Sequence, residues 1–544
     1  MPFHAVDLPI HIGEAADAAF ATRLRQAVSK QPVSHLPRIQ YVSDDALRSL
    51  AEQPPEWPSP SHLRFLVEVA LRTFGKTFHM VRKSVVWKDI ERLIQDPTSC
   101  DWLTQCQIWA LLAIGEAYSA RSALPNRPFP GSRYWARAMS LMYMPFERPS
   151  LQVIEIYLLL SFCAAAVNRR HTSITLASQA VRIGVIIGFH IDISETQLRD
   201  RALREHRCRL FWTAYRLDRA WCSKVGWPPA IPDETIEMPM PSNDTVPAEE
   251  KGDFEDAEYI VFAIKLAKMH NHAVNTLYVR KRQATSFSER VQVSVRAMRD
   301  WLDALPTHLR VAPADVSPPV EAHVLYQHLA YQQAVIVTTR PILLHLLRQR
   351  QSAFNSGTQP CVPSESVRSL STACIQCARH SMKWLKRCWT EGTFPTFDYF
   401  SMQFLFSSAT ILALSALMRE AGSSSDREDF LLACSFLSQL ERSGSHGARE
   451  FCTHVEAIQT TLAENLSAAA DTASLPYNTF GPEPATPRSL EQGQVSLQMG
   501  SMSGAPLQNF LDHSNLDLDF MDTGGQWIDW QDVFWPQIEL SSTL

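Results

Sequence analysis

Residues 198–222 read LRDRALREHRCRLFWTAYRLDRAWC, and this run decides the fold class. Leu203, Leu210, Ala214, Leu217 and Trp221 recur at intervals of three and four, the pattern of a helix with one apolar stripe. At 100° per residue Arg207 and Asp218 fall on that same stripe, about 16 Å of helical rise apart. They cannot meet, and an unpaired buried charge costs several kcal/mol, so each needs a partner from another segment. Arg182, His190 and Asp192 precede the run and are the candidates. The stretch therefore predicts a polar lock inside a helical core, with a ligand-contacting site as the alternative.

Helical period extends outward in both directions, and no stretch alternates as a strand should. Upstream, the spacing predicts helices over His62–Asp96, Asp101–Arg121, Arg137–Met144, Leu151–Val167 and Thr172–Phe189. Downstream it predicts Tyr259–Arg282, Phe287–Leu305, Val320–Gln349, Val367–Thr390, Phe397–Ala421, Asp429–Arg442 and Ala448–Ala470. Between the two sets, Pro228, Pro229, Pro232, Pro239 and Pro241 make Gly226–Pro241 a non-helical crossing. The expected class is all-α: a large domain of packed helical hairpins over 61–470, preceded by a partly ordered opening region over 1–60. A Pro, Gly, Ser and Gln linker over 471–508 is expected to be disordered, and an acidic-aromatic segment over 509–544 follows it. No fixed-period repeat supports a solenoid.

The bulk numbers narrow the function. With 45% apolar and 20% charged residues the chain reads as a globular protein with some disordered portion, and a net charge of -5 gives it no electrostatic footprint for nucleic acid. The start, Met1-Pro2-Phe3-His4-Ala5-Val6-Asp7, resembles no secretory signal, which predicts an intracellular protein with its 11 cysteines reduced. Tyr399 to Met418 is free of charge, yet Ser401, Gln403, Ser407, Ser408, Thr410 and Ser415 favour a core helix over a membrane span.

Residues 151–241 resemble the middle homology region of fungal binuclear zinc-cluster transcription factors. The resemblance rests on the order Leu158-Leu159-Leu160, Ala177–Gly188 with Phe189-His190, then Arg207-Cys208-Arg209-Leu210-Phe211-Trp212, Tyr215 and Leu217-Asp218-Arg219. Gly226-Trp227-Pro228 and the close Ile231-Pro232-Asp233-Glu234 to Met238-Pro239-Met240-Pro241 complete it. The departures are Arg207-Cys208-Arg209 in place of consecutive arginines and Gly226-Trp227-Pro228 in place of Gly-Arg-Pro. Weaker echoes, from Trp57-Pro58 to Arg340-Pro341-Ile342 and the Tyr399 helix, carry the likeness over roughly 55 to 470. The signature residues it marks are Arg207, Arg209, Phe211, Trp212, Asp218, Arg219, Gly226, Pro228 and Pro241.

The resemblance implies a nuclear transcription regulator, an activator of a metabolic or secondary-metabolite gene set, whose helical domain regulates or forms a homodimer or a pair with another family member. The family's zinc cluster needs six cysteines in about thirty residues. The first cysteine here is Cys100 and no window holds six, so no cofactor is expected in this chain, and zinc only if a cluster is encoded upstream. DNA contact is then expected only indirectly or through such a module. Cys374-Ile375-Gln376-Cys377 lacks a second pair and reads as core thiols. Phosphate loops, zinc-protease and nucleophile-elbow motifs are missing, and Ser43-Asp44-Asp45 has no second acidic motif to make a terpene-cyclase metal site. The alternatives left open are a stand-alone co-regulator that pairs with a complete family member and, third, an all-α enzyme.

The tail alternates acids with large apolar residues. Phe510, Leu511, Phe520, Trp527, Ile528, Trp530, Phe534 and Trp535 lie among Asp512, Asp517, Asp519, Asp522, Asp529 and Asp532. Such alternation marks an activation segment: the carboxylates repel and keep the aromatics apart until a coactivator groove accepts them on a short helix. The other reading is a C-terminal helix docked on the protein's own core.

Overall fold

The computed structural model describes residues 12–29, 33–124, 127–142, 146–244, 246–278, 284–311, 320–359, 362–418 and 422–473. Among them every long element is an α-helix and no strand occurs. The all-α class follows.

The first half contains α1 (Asp17–Val28), α2 (Asp44–Glu52), α3 (Pro60–Phe74), α4 (Lys83–Gln95), α5 (Trp102–Ser119), α6 (Ser132–Leu141), α7 (Leu151–Ala166), α8 (Arg170–Ile186) and α9 (Arg201–Val225). The second contains α10 (Ala257–Leu277), α11 (Phe287–Asp303), α12 (Ala322–Ser356), α13 (Glu365–Thr390), α14 (Tyr399–Met418), α15 (Ser423–Arg442) and α16 (His446–Ala473). Neighbours in sequence pack as hairpins, α7 on α8, α12 on α13 and α14 on α15, and one apolar core runs through both halves. The helices at its centre, α5, α7 and α14, are apolar on every side, as full burial requires. In α14, 83% of the apolar window is buried inside the protein, so its length and composition mark a core helix. Several of its polar groups are satisfied internally, Ser408 Oγ by Phe404 O at 2.8 Å and Ser415 Oγ by Asp426 Oδ2 at 2.6 Å.

Several elements differ from the sequence expectation. The predicted helix His62–Asp96 is broken after Phe74, where Gly75 to Arg82 form a turn before α4. Helix α6 starts five residues earlier than Arg137, because Gly131 at φ 81° supplies the left-handed turn that lets Ser132 begin it. Helix α12 runs on to Ser356, past Gln349, and passes straight through Pro341. A proline has no N–H for the carbonyl four residues back, and here Tyr278 Oη donates to that carbonyl, Val337 O, at 2.6 Å.

The largest difference is α1. Within the opening region it is a core helix, with Phe20, Ala21 and Leu24 almost fully buried. Its Asp17, also buried, accepts from Arg340 Nη1 at 2.5 Å, Gln333 Nε2 at 3.3 Å and Gln403 Nε2 at 2.6 Å, tying α1 to α12 and α14. Four of its apolar residues are alanines, Ala18, Ala19, Ala21 and Ala27, which leave little periodic signal.

Candidate functional site

Helix α9 is the axis of the signature segment. It is capped at its start by Asp200, whose carboxylate accepts from Leu203 N at 2.9 Å, and ended by Gly226 at φ 71°. A Cβ on Gly226 would lie 2.7 Å from Gly13 Cα, so two glycines let the N-terminal segment cross the helix end. Gly13 N–H donates to Val225 O there at 2.8 Å.

The chain then returns along α9 as an extended strap over 227–242. Its prolines leave it without strand partners, and the helix supplies side-chain donors and acceptors instead. Trp212 Nε1 donates to Pro239 O at 2.7 Å, and Cys208 Sγ lies 3.2 Å from the same oxygen. Asp218, fully buried, accepts from Ala230 N at 3.0 Å, Ser178 Oγ of α8 at 2.8 Å and Arg219 Nη1 at 2.8 Å. Arg219 also donates to Asp233 Oδ1 at 2.7 Å and to Ile231 O. Tyr215 Oη donates to Asp233 as well, at 2.9 Å, and Arg219 lies 4.3 Å from its ring centre. Arg209, with no exposed surface, is saturated by Glu205 at 2.6 Å, Glu255 O at 2.5 Å and Asn243 Oδ1 at 2.8 Å.

The two stripe charges find their hydrogen-bond partners mostly outside the expected set. Asp218 pairs with its own neighbour Arg219 and reaches Ser178 in α8, while Arg182 donates to Ala230 O at 3.4 Å. Arg207 makes no hydrogen bond to a carboxylate: it donates to Gly188 O and Ile191 O at the end of α8 and stacks over Phe189 at 4.9 Å, and burial lowers its pKa while Asp192 acts on it from a distance in the opposite sense. Helix-end carbonyls carry partial negative charge, which helps to hold this buried guanidinium. Phe211 is core, Pro241 buried and Pro228 exposed at the start of the strap.

The adjoining face of α9 borders a cavity that the sequence did not disclose. Arg216, Arg219 and Lys224 at spacings of three and five point to it, with about 640 Å³ of open space between α9, α10 and α12, continuous with solvent. Phe78, delivered by the turn that breaks the first predicted helix, and Phe404 of α14 close two sides. Arg216 donates to Thr77 O at 2.7 Å and stacks on Phe78 at 4.8 Å, with no carboxylate partner. Lys224 forms no hydrogen bond or ion pair among the described residues, and its ammonium lies 5.2 Å from the Phe400 ring centre. Burial lowers its pKa to about 8, against the pull of Asp17 and Asp398. Gln327, 2% exposed on α12, leaves both amide atoms unpaired, as does His270 its Nε2. The Tyr259 hydroxyl makes no well-formed hydrogen bond, with Arg216 and Thr77 beside it. A usable signal existed in Gln327 and Gln333, polar residues inside an apolar helix at positions the packing must bury.

Other candidates resolve locally. Cys374 and Cys377 are buried in α13, and burial pushes the Cys374 thiol up to about 12, as for a core thiol. Ser43 caps α2, accepting from Ala46 N at 3.2 Å, and Asp44 pairs with Arg169, so that acidic run is a helix start. Phe510, Leu511, Phe520, Trp527, Ile528, Trp530, Phe534 and Trp535 lie outside the described residues.

Residues 76–304, which include α9, the strap and most of the cavity wall, match the family described as fungal specific transcription factor domain. That stretch is shorter than the roughly 55 to 470 of the sequence resemblance. An uncharacterized transcriptional regulatory protein of Schizosaccharomyces pombe is 24% identical over 319 residues, 57% of this chain and 38% of that protein. The thiamine repressible genes regulatory protein thi1 of the same yeast is 22% identical over 430 residues, 75% of this chain and 52% of the relative. Activator of stress genes 1 of Saccharomyces cerevisiae is 26% identical over 237 residues, 41% of this chain and 24% of the relative. The matched parts thus span between about a quarter and a half of these relatives. With α9 and the signature strap lying inside the matched stretch, the chain carries a fungal specific transcription factor domain at residues 76–304.

Proposed function

We propose that the chain is a nuclear transcription regulator in which the helical domain regulates and dimerises and the tail activates. The observation that carries the reading is the coincidence of the matched stretch, 76–304, with the strap-locked core around α9, alongside relatives named as regulators and not as enzymes. Support for an activating role comes from the tail sequence, since residues 507–544 contain ten large apolar side chains named Phe, Leu, Ile or Trp between Phe510 and Trp535, interleaved with aspartates and free of Lys and Arg. The target is a metabolic or secondary-metabolite gene set, in keeping with the name of the thiamine-gene regulator.

A coactivator groove filled by the aromatics gains about 1.5 to 3 kcal/mol per large side chain before ordering costs. Residues 507–544 fused to a foreign DNA-binding domain therefore activate a reporter. Changing Trp527, Trp530 and Trp535 together to Ala abolishes the signal, and any single Asp→Asn leaves it. A silent wild-type fusion that is expressed and nuclear favours the docked-helix reading.

A second reading is a co-regulator that borrows a partner's DNA-binding module. It is supported by the lack of any six-cysteine window within these 544 residues. Sequencing the 5′ end of the natural transcript separates the two: an upstream zinc cluster removes the co-regulator.

A further inference from the structure

The cavity beside α9 is cationic and unsatisfied at the same time. Arg216, Arg219 and Lys224 border it, and no Asp or Glu does. Arg219 is committed to Asp218 and Asp233, so it is a fixed wall with only its Nε unpaired. Arg216 and Lys224 form no ion pair with a carboxylate among the described residues; of the two acids that act on Lys224 from a distance, Asp17 is already held by Arg340, Gln333 and Gln403, and Asp398 by Tyr118 and Ser401. Burying charge without a counter-charge is costly, and proteins retain it where a ligand supplies the missing sign.

The remaining wall describes the rest of such a ligand. Phe78, Tyr259, Tyr326 and Phe404 present aromatic surface. The unpaired amide of Gln327 offers one donor pair and one acceptor from a nearly fully buried side chain, a cost that an apolar residue of similar size would avoid. A largely apolar cleft with a few convergent polar groups has the character of a small-molecule site.

We propose that the cavity between α9, α10 and α12 binds a small organic carboxylate with an apolar or aromatic body, the anion meeting Lys224 and Arg216 and a second polar group meeting the Gln327 amide. The site takes up ligand without covalent chemistry. Binding stands on the cavity alone and holds whether or not the chain regulates transcription.

The test uses the full chain and four probes: 1-naphthoate and decanoate, each beside its neutral primary amide. Calorimetric titration is expected to show binding of at least one acid about tenfold tighter than its amide, since a hydrogen-bonded charge pair is the difference between them. Lys224→Met is expected to remove that preference, and Gln327→Leu to weaken both members of the pair. Both variants are expected to melt at or above the wild-type temperature without ligand, because each replaces an uncompensated buried polar group by an apolar one; a merely structural role would lower the melting point. Failure of both acids to bind up to their solubility overturns the proposal. So does equal binding of acid and amide, or undiminished preference in Lys224→Met.

Discussion

Asp218 has three hydrogen-bond donors around it and no exposed surface, and it couples α8, α9 and the strap through one side chain. Asp218→Ala leaves Ala230 N and Ser178 Oγ without their acceptor and removes one of two acids from the buried Arg219. The expected loss is about 3 kcal/mol. Thermal or urea melts check it against Glu249→Ala, an exposed acid whose loss should move the melt little. Equal small shifts would mean that the lock does not hold the strap. Glu450 of α16 makes a second such centre: it is 5% exposed, meets Arg170 and, at 3.4 Å, Arg38, and accepts from Asn168 Nδ2 at 2.8 Å. Burial raises its pKa, but the two arginines outweigh burial and hold it below the usual carboxylate value. A depressed folded pKa gives stability that is present above about pH 4.3 and lost as the pH falls below it. Glu450→Gln is therefore expected to cost stability at pH 7 and to flatten the acid limb of the stability profile, measured by denaturant melts between neutral and acid pH. A parallel profile in the variant would contradict this.

At the scale of elements, the periodic helices were legible and their interruptions were not. The α9 stripe, the charge-free α14 and the proline-rich crossing follow from spacing and residue type alone. The break at Gly75 was hidden because apolar period continues on both sides of it, yet that break puts Phe78 into the cavity and brings His79 N to Thr213 Oγ1 at 3.2 Å. Helix α1 was hidden by its alanines. Local pattern also cannot show that α12 survives Pro341, since the acceptor is rescued by Tyr278 from α10's end, 59 positions away. Tyr278→Phe tests the rescue. It leaves Val337 O without its donor at the proline and is expected to cost about 1 to 3 kcal/mol, read as a lowered melting midpoint with unchanged helix content. An unchanged midpoint would show that the carbonyl finds another donor.

For the whole molecule, two properties combine in one helix: α9 fastens the strap and also borders the cavity, with Arg219 shared between the two. The signature residues were recognisable from the chain, whereas the cavity was not, because Arg216, Lys224, His270 and Gln327 come together only when three helices separated by up to a hundred residues pack. The acidic net charge of -5 and the lack of a six-cysteine window give a further expectation: purified 1–544 retards no DNA in a sequence-selective manner at physiological salt. Nanomolar selective binding by the protein alone would contradict it. The central claim, that this chain regulates transcription through its tail, is tested most directly by fusing 1–544 to a foreign DNA-binding domain and comparing reporter output with and without residues 507–544. The account predicts activation by the full chain and its loss on removing the segment. Equal output from the two fusions, both expressed and nuclear, would contradict it.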